Sequence, residues 1–145
     1  RRLAIAIELE GVLAVEMFLT KTGELLVNEM APRPHNSGHA TIEANVTSQY
    51  EQHLRAVLNL PLGETRLLTP AVMVNILGEK SAEGRVVYVG LRECLSMSGV
   101  HLHLYGKRNT KPFRKMGHVT ICDIQLTNAI QKAKVVQQKL KATAS

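Results

Sequence analysis

The sequence predicts an α+β protein, because its helical and strand-like segments are segregated along the chain and do not alternate. The first half reads as the end of a helix, two strand-like runs and a helix. The second half holds several short β-type runs and then a final amphipathic helix. Pro61, Gly63 and Pro70 mark a break between the halves. We therefore expect two parts, residues 1–65 and residues 66–145.

The first part is expected to contain a hairpin between two helices. Residues 3–10 read as the end of a helix that Gly11 closes as a left-handed cap. Strands are predicted over 12–19 and 25–30, and a polar turn rich in threonine separates them. The pattern over 39–60 is helical, with Ser48 as a candidate N-cap. Its apolar residues at helical spacing are Tyr50, Leu54, Val57 and Leu58.

The second part is predicted to be rich in short strands. These cover 72–77, 85–89, 100–105 and 118–121. A helix is predicted over 127–141, and Thr127 or Asn128 would cap its start. Its apolar stripe consists of Ala129, Ile130, Ala133, Val136 and Leu140. His101 and His103 share one face of a strand, where a structural role is favoured over a metal site because no third ligand is evident nearby.

The composition excludes several classes of protein. The net charge is +6 over 145 residues, which favours anionic partners, although a lysine-rich C-terminal segment also explains much of it. Aromatic residues make up only 3%, few for a protein that stacks nucleic-acid bases. No run reaches the roughly 18 apolar residues of a membrane span. Two distant cysteines, Cys94 and Cys122, fit a reducing, cytoplasmic setting and not a disulfide framework.

A pair of carboxylates is the first sign of chemistry. Glu16 lies inside an otherwise apolar run, 13–19, of the kind that is buried on both faces. If Thr22-Gly23 forms a two-residue turn, residues whose numbers sum to 45 face each other, and Glu16 faces Glu29. Two like charges there are destabilising unless a divalent cation lies between them. The alternatives are an arginine partner for one glutamate or a different register.

The segment after Glu29 is dense in hydrogen-bond donors. Residues 28–39 read NEMAPRPHNSGH, and two prolines stiffen them. Arg33 offers a planar fork for a carboxylate or phosphate, and Asn36 and Ser37 can line an anion site. His35 and His39 are four residues apart, but a zinc motif on a helix is disfavoured by the neighbouring Pro and Gly.

These motifs resemble the ATP-grasp ligases of purine biosynthesis, specifically the 5-(carboxyamino)imidazole ribonucleotide synthase family. The similarity begins at 11–18 (GVLAVEMF) and continues through the segment 28–39. Further matching stretches are 49–56, 60–63, 72–78, 105–107 and 114–118. The resemblance implies the second half of an ATP-grasp domain followed by a small β-rich C-terminal domain with a terminal helix.

The resemblance also implies roles for residues of the first part. The family uses ATP and bicarbonate, through carboxyphosphate, to carboxylate the amino group of 5-aminoimidazole ribonucleotide. Glu16 and Glu29 would hold Mg²⁺ (or Mn²⁺) on the ATP phosphates, and Asn28 would belong to the same nucleotide site. The bicarbonate and carboxyphosphate pocket would be lined by Arg33, His35, Asn36 and Ser37.

In the second part, the resemblance assigns the 5′-phosphate of the ribonucleotide to a basic cluster. Lys107 and Arg114 would contact this phosphate, with Lys115 beside them. The family often has glycine where this chain has Phe113, which concerns the backbone of the loop and not the basic residues. The implied partners are ATP, bicarbonate and the ribonucleotide, with no nucleic acid or membrane, and the implied assembly of the complete enzyme is a homodimer.

Three alternatives stay open at this stage. The chain can belong to a sister ATP-grasp ligase, such as the formate-dependent glycinamide ribonucleotide transformylase or a biotin carboxylase. It can also be a basic nucleic-acid-binding module, or a non-catalytic interaction domain. The family's N-terminal domain and lid find no counterpart in this sequence, so we expect the chain to be a fragment that is inactive by itself.

Overall fold

The computed structural model describes residues 2–145 and divides the chain after Arg66 into two compact units. The first unit contains α1 (Arg2–Ala6), β1 (Ala14–Leu19), β2 (Leu25–Ala31), a 3₁₀ turn (Asn36–Gly38), α2 (Thr41–Ala44) and α3 (Gln49–Val57). The second contains β3 (Ala71–Leu77), β4 (Gly84–Val89), α4 (Leu91–Leu95), β5 (Val100–Leu104), β6 (Asn109–Thr110), β7 (Lys115–Cys122), α5 (Leu126–Lys139) and β8 (Lys141–Ala144). The α+β prediction is confirmed. Within residues 2–145, the helices are too short or too polar to cross a membrane.

The first helix ends earlier than predicted, and Gly11 does not close it. α1 stops at Ala6, and the left-handed residue is Glu8, with φ of 49°. The Leu9 amide donates to the Ala4 carbonyl (2.9 Å) and the Glu8 amide to the Ile5 carbonyl (3.1 Å). These two bonds define a Schellman motif. The prediction failed because it required glycine at the left-handed position, which here is occupied by glutamate.

The hairpin pairs Glu16 with Glu29 as predicted, but through a different turn and a bulge. The turn has three residues, closed by bonds from Thr20 N to Glu24 O (2.9 Å) and from Gly23 N to Thr20 O (3.0 Å), and Gly23 has φ of +88°. This geometry is a type I turn followed by a left-handed residue. It shifts the register by one, pairing Met17 with Val27. One extra residue, Asn28, then restores the predicted register.

The two strands are not buried on both faces, contrary to the prediction. Consecutive residues of β1 point to opposite faces, and Phe18 and Leu19 are 60% and 71% exposed. Leu25 and Leu26 of β2 are equally open. The sheet has only two strands, and within the described chain it presents apolar side chains on both faces.

The helical prediction over 39–60 covers two helices. Asn45 is extended after α2, and the next amide, Val46 N, donates to Arg66 O (3.0 Å) and not to a helical carbonyl. The chain then restarts at Ser48, whose side chain accepts from Glu51 N (3.2 Å), so the predicted N-cap is confirmed.

The second unit is built on two three-stranded antiparallel sheets, ordered β3-β7-β5 and β6-β4-β8. β7 is the central strand of the first sheet, and Met116, Val119 and Ile121 on it are fully buried. α5 covers this strand with Ala129, Ala133 and Val136. The predicted strand 118–121 covers Val119 and Ile121, whereas Met116 lies before it in the longer strand β7.

Helix α5 is capped differently from the prediction. It begins at Leu126, without a side-chain cap from Thr127 or Asn128. Asp123 supplies the acceptor, taking bonds from Gln125 N (3.0 Å) and Lys132 Nζ (2.8 Å). These bonds, that from Lys132 foremost, lower the pKa of the Asp123 carboxyl. Ile130 is 40% exposed, so the predicted apolar stripe is wrong at this position, and α4, β6 and β8 were not predicted.

Candidate functional site

Two glutamates and a histidine converge in the first unit. Glu16 on β1 and Glu29 on β2 are directly opposite each other. His35 Nε2 lies 3.4 Å from Glu16 Oε1 and 3.8 Å from Glu29 Oε1. One ligand atom from each of these three residues lies within 4.8 Å of the others. The arrangement is a compact acidic site with one imidazole beside it.

The bulge at Asn28 is what brings the two carboxylates face to face. The register between the turn and Met17 differs by one residue from the register beyond it. Since a one-residue shift moves a side chain to the other face of a sheet, Glu16 and Glu29 oppose each other only because Asn28 is inserted. Bulges of this kind recur beside functional sites, where they redirect a side chain.

The ring of His35 is oriented from its other nitrogen. Ser37 N donates to His35 Nδ1 (3.4 Å), and the Ser37 hydroxyl lies 3.0 Å from the same atom. Because Nδ1 accepts a hydrogen bond, the neutral ring carries its proton on Nε2, which faces the glutamates. The His35 side chain is only 14% exposed, whereas Glu16 and Glu29 are 42% and 61% exposed.

The oxygen atoms of this site suit a hard cation. Mg²⁺ takes oxygen ligands and is commonly held by one or two carboxylates together with substrate phosphates. Glu16 and Glu29 offer that set from two adjacent strands. His35 completes the group of three residues that could hold a metal, but with its proton on Nε2 it would serve as a hydrogen-bond donor and not as a ligand. The residues present therefore fit a magnesium ion held by the two carboxylates.

The rest of the predicted anion pocket lies on the same loop. One guanidinium nitrogen of Arg33, Nη1, donates to the Pro34 carbonyl (3.0 Å). Asn36 and Ser37 form the 3₁₀ turn, with His35 as its N-cap. The structure thus brings His35 and Ser37 into contact and places Arg33 and Asn36 next to them along the chain.

The predicted phosphate cluster lies in the second unit, on the loop between β5 and β7. Lys107 Nζ donates to the Lys115 carbonyl (2.5 Å), and Arg114 Nη1 donates to the Asn109 carbonyl (2.9 Å). Lys107 Nζ also lies 5.5 Å from the centre of the Tyr105 ring. Both side chains therefore brace the loop from opposite ends, a role that their charge did not predict.

The loop keeps a glycine-like backbone although it contains Phe113. Phe113 has φ of 61°, in the left-handed region that bulky residues rarely adopt. Its amide donates to the Gly78 carbonyl (2.9 Å), and Gly78 N donates to Arg114 O (2.9 Å). This pair of bonds holds the loop against the end of β3.

The histidines of β5 have a structural setting. The ring of His103 stacks on His118 of β7, with centroids 4.4 Å apart and planes at 10°. Tyr105 Oη is 3.0 Å from His118 Nδ1. Among the described residues, neither His101 nor His103 belongs to the group of three side chains that could hold a metal ion.

Sequence reasoning missed the residues of α3 that hold the loop. Gln49 Oε1 accepts from His35 N (2.9 Å), and Gln49 Nε2 donates to His35 O (2.8 Å). Gln49 Nε2 also lies 2.9 Å from His39 Nδ1, as does Tyr50 Oη. Desolvation raises the pKa of the Tyr50 hydroxyl. The available signal was a glutamine in the first turn of a helix, a position where a side chain can reach a preceding loop.

Family comparisons agree with this architecture. Residues 71–132 match the phosphoribosylaminoimidazole carboxylase C-terminal domain, and residues 1–50 match the ATP-grasp domain. The chain is 53% identical over 119 residues to the N5-carboxyaminoimidazole ribonucleotide synthase of Bacillus subtilis, covering 82% of this chain and 30% of that protein. With the Aquifex aeolicus synthase it shares 43% over 143 residues, covering 99% of this chain and 38% of the relative. The chain thus spans about a third of their length.

Solved structures give the same result. The N5-carboxyaminoimidazole ribonucleotide synthetase of Thermotoga maritima superposes with a TM-score of 0.92 at 55% identity, over 99% of this chain and 40% of that one. The Aspergillus clavatus enzyme in complex with ADP and 5-aminoimidazole ribonucleotide gives 0.77 at 35% identity, over 88% of this chain and 34% of the other. This chain therefore belongs to the N5-carboxyaminoimidazole ribonucleotide synthase family, with an ATP-grasp segment followed by the family's C-terminal domain.

Proposed function

We propose that this chain forms part of an ATP- and bicarbonate-dependent ligase that converts 5-aminoimidazole ribonucleotide to its N5-carboxyamino form in purine biosynthesis. The observation that carries the proposal is the pairing of Glu16 with Glu29 beside Nε2 of His35. Residues 1–65 would contribute the C-terminal half of the ATP-grasp domain, and residues 66–145 the small C-terminal domain. Because the chain spans about a third of its relatives, the activity belongs to a complete enzyme that carries this segment.

In this proposal, the two carboxylates of the hairpin form the cation side of the nucleotide site. Glu16 and Glu29 would hold Mg²⁺ or Mn²⁺, and Asn28, the bulge residue beside Glu29, would belong to the same nucleotide site. The cation would neutralise charge on the ATP β- and γ-phosphates. Phosphoryl transfer depends mainly on such positioning and charge compensation, which the two carboxylates would supply by holding the cation.

The loop after β2 would orient bicarbonate for two successive transfers. A bicarbonate oxygen attacks the γ-phosphorus and ADP leaves, which gives carboxyphosphate. The amino group of the ribonucleotide then attacks the carboxyl carbon, phosphate leaves and the amine loses a proton. Arg33, Asn36 and Ser37 supply donors for the oxyanions, and His35 presents an N–H from a nearly buried ring. Preorganised donors aimed at developing charge are usually the largest single term in such catalysis.

The second unit would bind the other end of the ribonucleotide. Lys107, Arg114 and Lys115 suit a phosphate dianion, because an arginine fork and lysine charges complement it. Their use as loop braces is compatible with this role, since each side chain retains further donors. A homodimer is proposed for the complete enzyme by family resemblance alone.

The test is a substrate-dependence assay on a complete enzyme that carries this segment. ADP formation is measured with each of bicarbonate and 5-aminoimidazole ribonucleotide omitted in turn. We expect full turnover only with both, and almost none from the 145-residue chain alone. Turnover with formate and glycinamide ribonucleotide in their place would instead identify the sister ligase, and ADP formation that needs neither substrate would contradict the proposal.

A further inference from the structure

Helix α3 carries three polar side chains that each bind the backbone of a different segment. Gln49 bonds both the N–H and the carbonyl of His35. Gln52 does the same to Gly63, with Gly63 N to Oε1 at 2.9 Å and Nε2 to Gly63 O at 2.6 Å. His53 Nδ1 accepts from Val12 N at 3.3 Å. Each of the two glutamines thus bonds both the backbone N–H and the backbone carbonyl of one residue, as a neighbouring strand would.

Two of these three side chains, Gln49 and His53, each pack against a glycine, and we call such a side chain bonded to backbone a clamp. A Cβ at Gly38 would lie 2.5 Å from Gln49 Oε1, and a Cβ at Gly11 would lie 2.5 Å from His53 Nδ1. Real Cβ atoms do not approach so closely, so a side chain at either position would displace the clamp. Gly38 is therefore needed for Gln49 to reach His35, so the bonds to His35 depend on Gly38 as well as on Gln49.

We propose that Gln49 is a positioning residue that fixes His35 against the carboxylates of Glu16 and Glu29. This inference rests on the proposed function of the site. The backbone of His35 is bonded at both polar atoms by Gln49, and its ring is turned by the amide of Ser37. Together these bonds fix the place and the rotation of the ring, so Nε2 stays 3.4 Å from Glu16 and 3.8 Å from Glu29.

The clamp is itself tied down on both sides. Gln49 N donates to Thr41 Oγ1 (2.9 Å), and that hydroxyl donates to the Gly38 carbonyl (2.5 Å). Gln49 Nε2 also lies 2.9 Å from His39 Nδ1. Gln49 therefore joins the N-terminus of α3 to both ends of the segment 35–39, and loss of its side-chain amide removes the bonds to His35 and His39 without touching either carboxylate.

Gln52 supplies a matched control for Gln49. Both lie on α3, three residues apart, and both make a two-bond clamp on one backbone residue, but Gln52 holds Gly63 and not His35. In a complete enzyme carrying this segment, Gln49→Met should lower kcat roughly tenfold to a hundredfold, because displacement of a reacting group by about 1 Å has effects of this size. The KM for the ribonucleotide should stay within about twofold. Gln52→Met should leave kcat within about twofold at a similar loss of Tm.

Equal losses of kcat in Gln49→Met and Gln52→Met would reduce Gln49 to a structural residue and overturn the proposal. If Gln49→Met does not fold, Gln49→Glu decides the question, because it keeps the acceptor for His35 N and removes the donor to His35 O. An intermediate kcat is expected for Gln49→Glu. A wild-type kcat in this folded variant would also overturn the proposal.

A second readout needs no activity and separates this inference from the proposed function. Imidazole ¹⁵N shifts of the 145-residue chain, recorded at alkaline pH, report which nitrogen carries the proton. We expect His35 to be protonated at Nε2 in the wild type and in Gln52→Met, and to become a tautomer mixture in Gln49→Met. If these tautomers are found but the complete enzyme has no carboxylase activity, the positioning role of Gln49 is supported and the proposed function is wrong. An unchanged His35 tautomer in Gln49→Met would overturn the positioning role.

Discussion

Each of the two units of this chain is stabilised internally by a different kind of interaction. In the second unit a continuous core joins β3, β7 and α5, and residues such as Met116, Val119 and Ile121 have no exposed surface. In the described part of the first unit, the buried apolar residues are two alanines, Ala31 and Ala44. The first unit is organised instead by side-chain bonds from α3 to backbone. Directional bonds therefore shape the unit with the carboxylates, and apolar burial shapes the other.

This difference bears on how precise each unit can be. A hydrogen bond contributes only about 0.5–1.5 kcal/mol net to stability, but it fixes distance and direction. Burial of a Leu or Ile side chain contributes about 1.5–3 kcal/mol without fixing orientation. The candidate site lies where orientation matters most. The open apolar faces of the hairpin show that the first unit gains little of its stability from its own core.

The largest effect is expected when charge is removed from the first unit without changing its shape. In a complete enzyme, Glu29→Gln should lower kcat at least about a hundredfold at saturating Mg²⁺, with little change in ribonucleotide binding, because the substitution keeps volume and removes one anionic ligand. Steady-state kinetics with ribonucleotide titrations measure both quantities. Glu24→Gln is the control, since Glu24 lies in the exposed turn of the same hairpin. Unchanged turnover in Glu29→Gln would exclude a role as a metal ligand.

The next largest effect is expected when a side chain is removed from the core of the second unit. Ile121→Ala should lower the free energy of unfolding of that unit by about 2–5 kcal/mol, because Ile121 is fully buried. Leu26→Ala in the hairpin removes a similar side chain that is 52% exposed and should change stability by no more than about 0.5 kcal/mol. Urea unfolding of the 145-residue chain, followed through amide signals from each unit, measures both. Similar losses for the two variants would contradict the contrast between the units.

The opposition of Glu16 and Glu29 shows how far sequence reasoning reached. The prediction assumed a two-residue turn, and the structure reached the same pairing through a three-residue turn and the extra residue Asn28. Both routes give the same parity, because two shifts of one residue cancel. The type of each strand follows from composition and period, whereas turn length and bulges depend on backbone angles that those patterns do not encode.

Contacts that the local pattern does not report explain several of the remaining errors. The break between α2 and α3 follows from the bond between Val46 and Arg66, which are far apart in sequence. The start of α5 is held by Asp123, which accepts from Gln125 N and from Lys132 Nζ. The clamp from Gln49 to His35 spans fourteen residues. Local propensity and period do not report long-range partners, so part of the core of the second unit was predictable and the bonds that position the candidate site were not.

A smaller effect is expected from the phosphate cluster of the second unit, where function would depend on a loop and not on a core. Arg114→Ala in a complete enzyme should raise the KM for the ribonucleotide about tenfold to a hundredfold, because charge-assisted hydrogen bonds contribute about 1.5–3 kcal/mol. The KM for ATP should hardly change. Separate substrate titrations measure the two constants.

Arg108→Ala is the control for Arg114. Arg108 is exposed and adjoins Lys107, and the bond that involves it comes from Val86 N to its backbone carbonyl, which survives the substitution. An equal, small effect of the two substitutions would mean that the cluster is only a charged surface. A fall in Tm for Arg114→Ala without any rise in KM would mean that Arg114 only stabilises the loop, through its bond to the Asn109 carbonyl, and does not bind the phosphate.

The smallest effect is expected at Phe113, where a strained backbone conformation is combined with an exposed ring. Its left-handed backbone opposes its own side chain, and a residue with a Cβ pays roughly 1–2 kcal/mol there. The ring is 62% exposed and recovers little of this through burial. Phe113→Gly should therefore stabilise the second unit by roughly 0.5–1 kcal/mol, after the greater backbone entropy that glycine loses on folding is subtracted. Phe113→Ala removes the ring but keeps the Cβ, so it should give no gain. Thermal unfolding of both variants measures the difference, and equal stabilities would show that relief of backbone strain at this position does not change the stability of the loop.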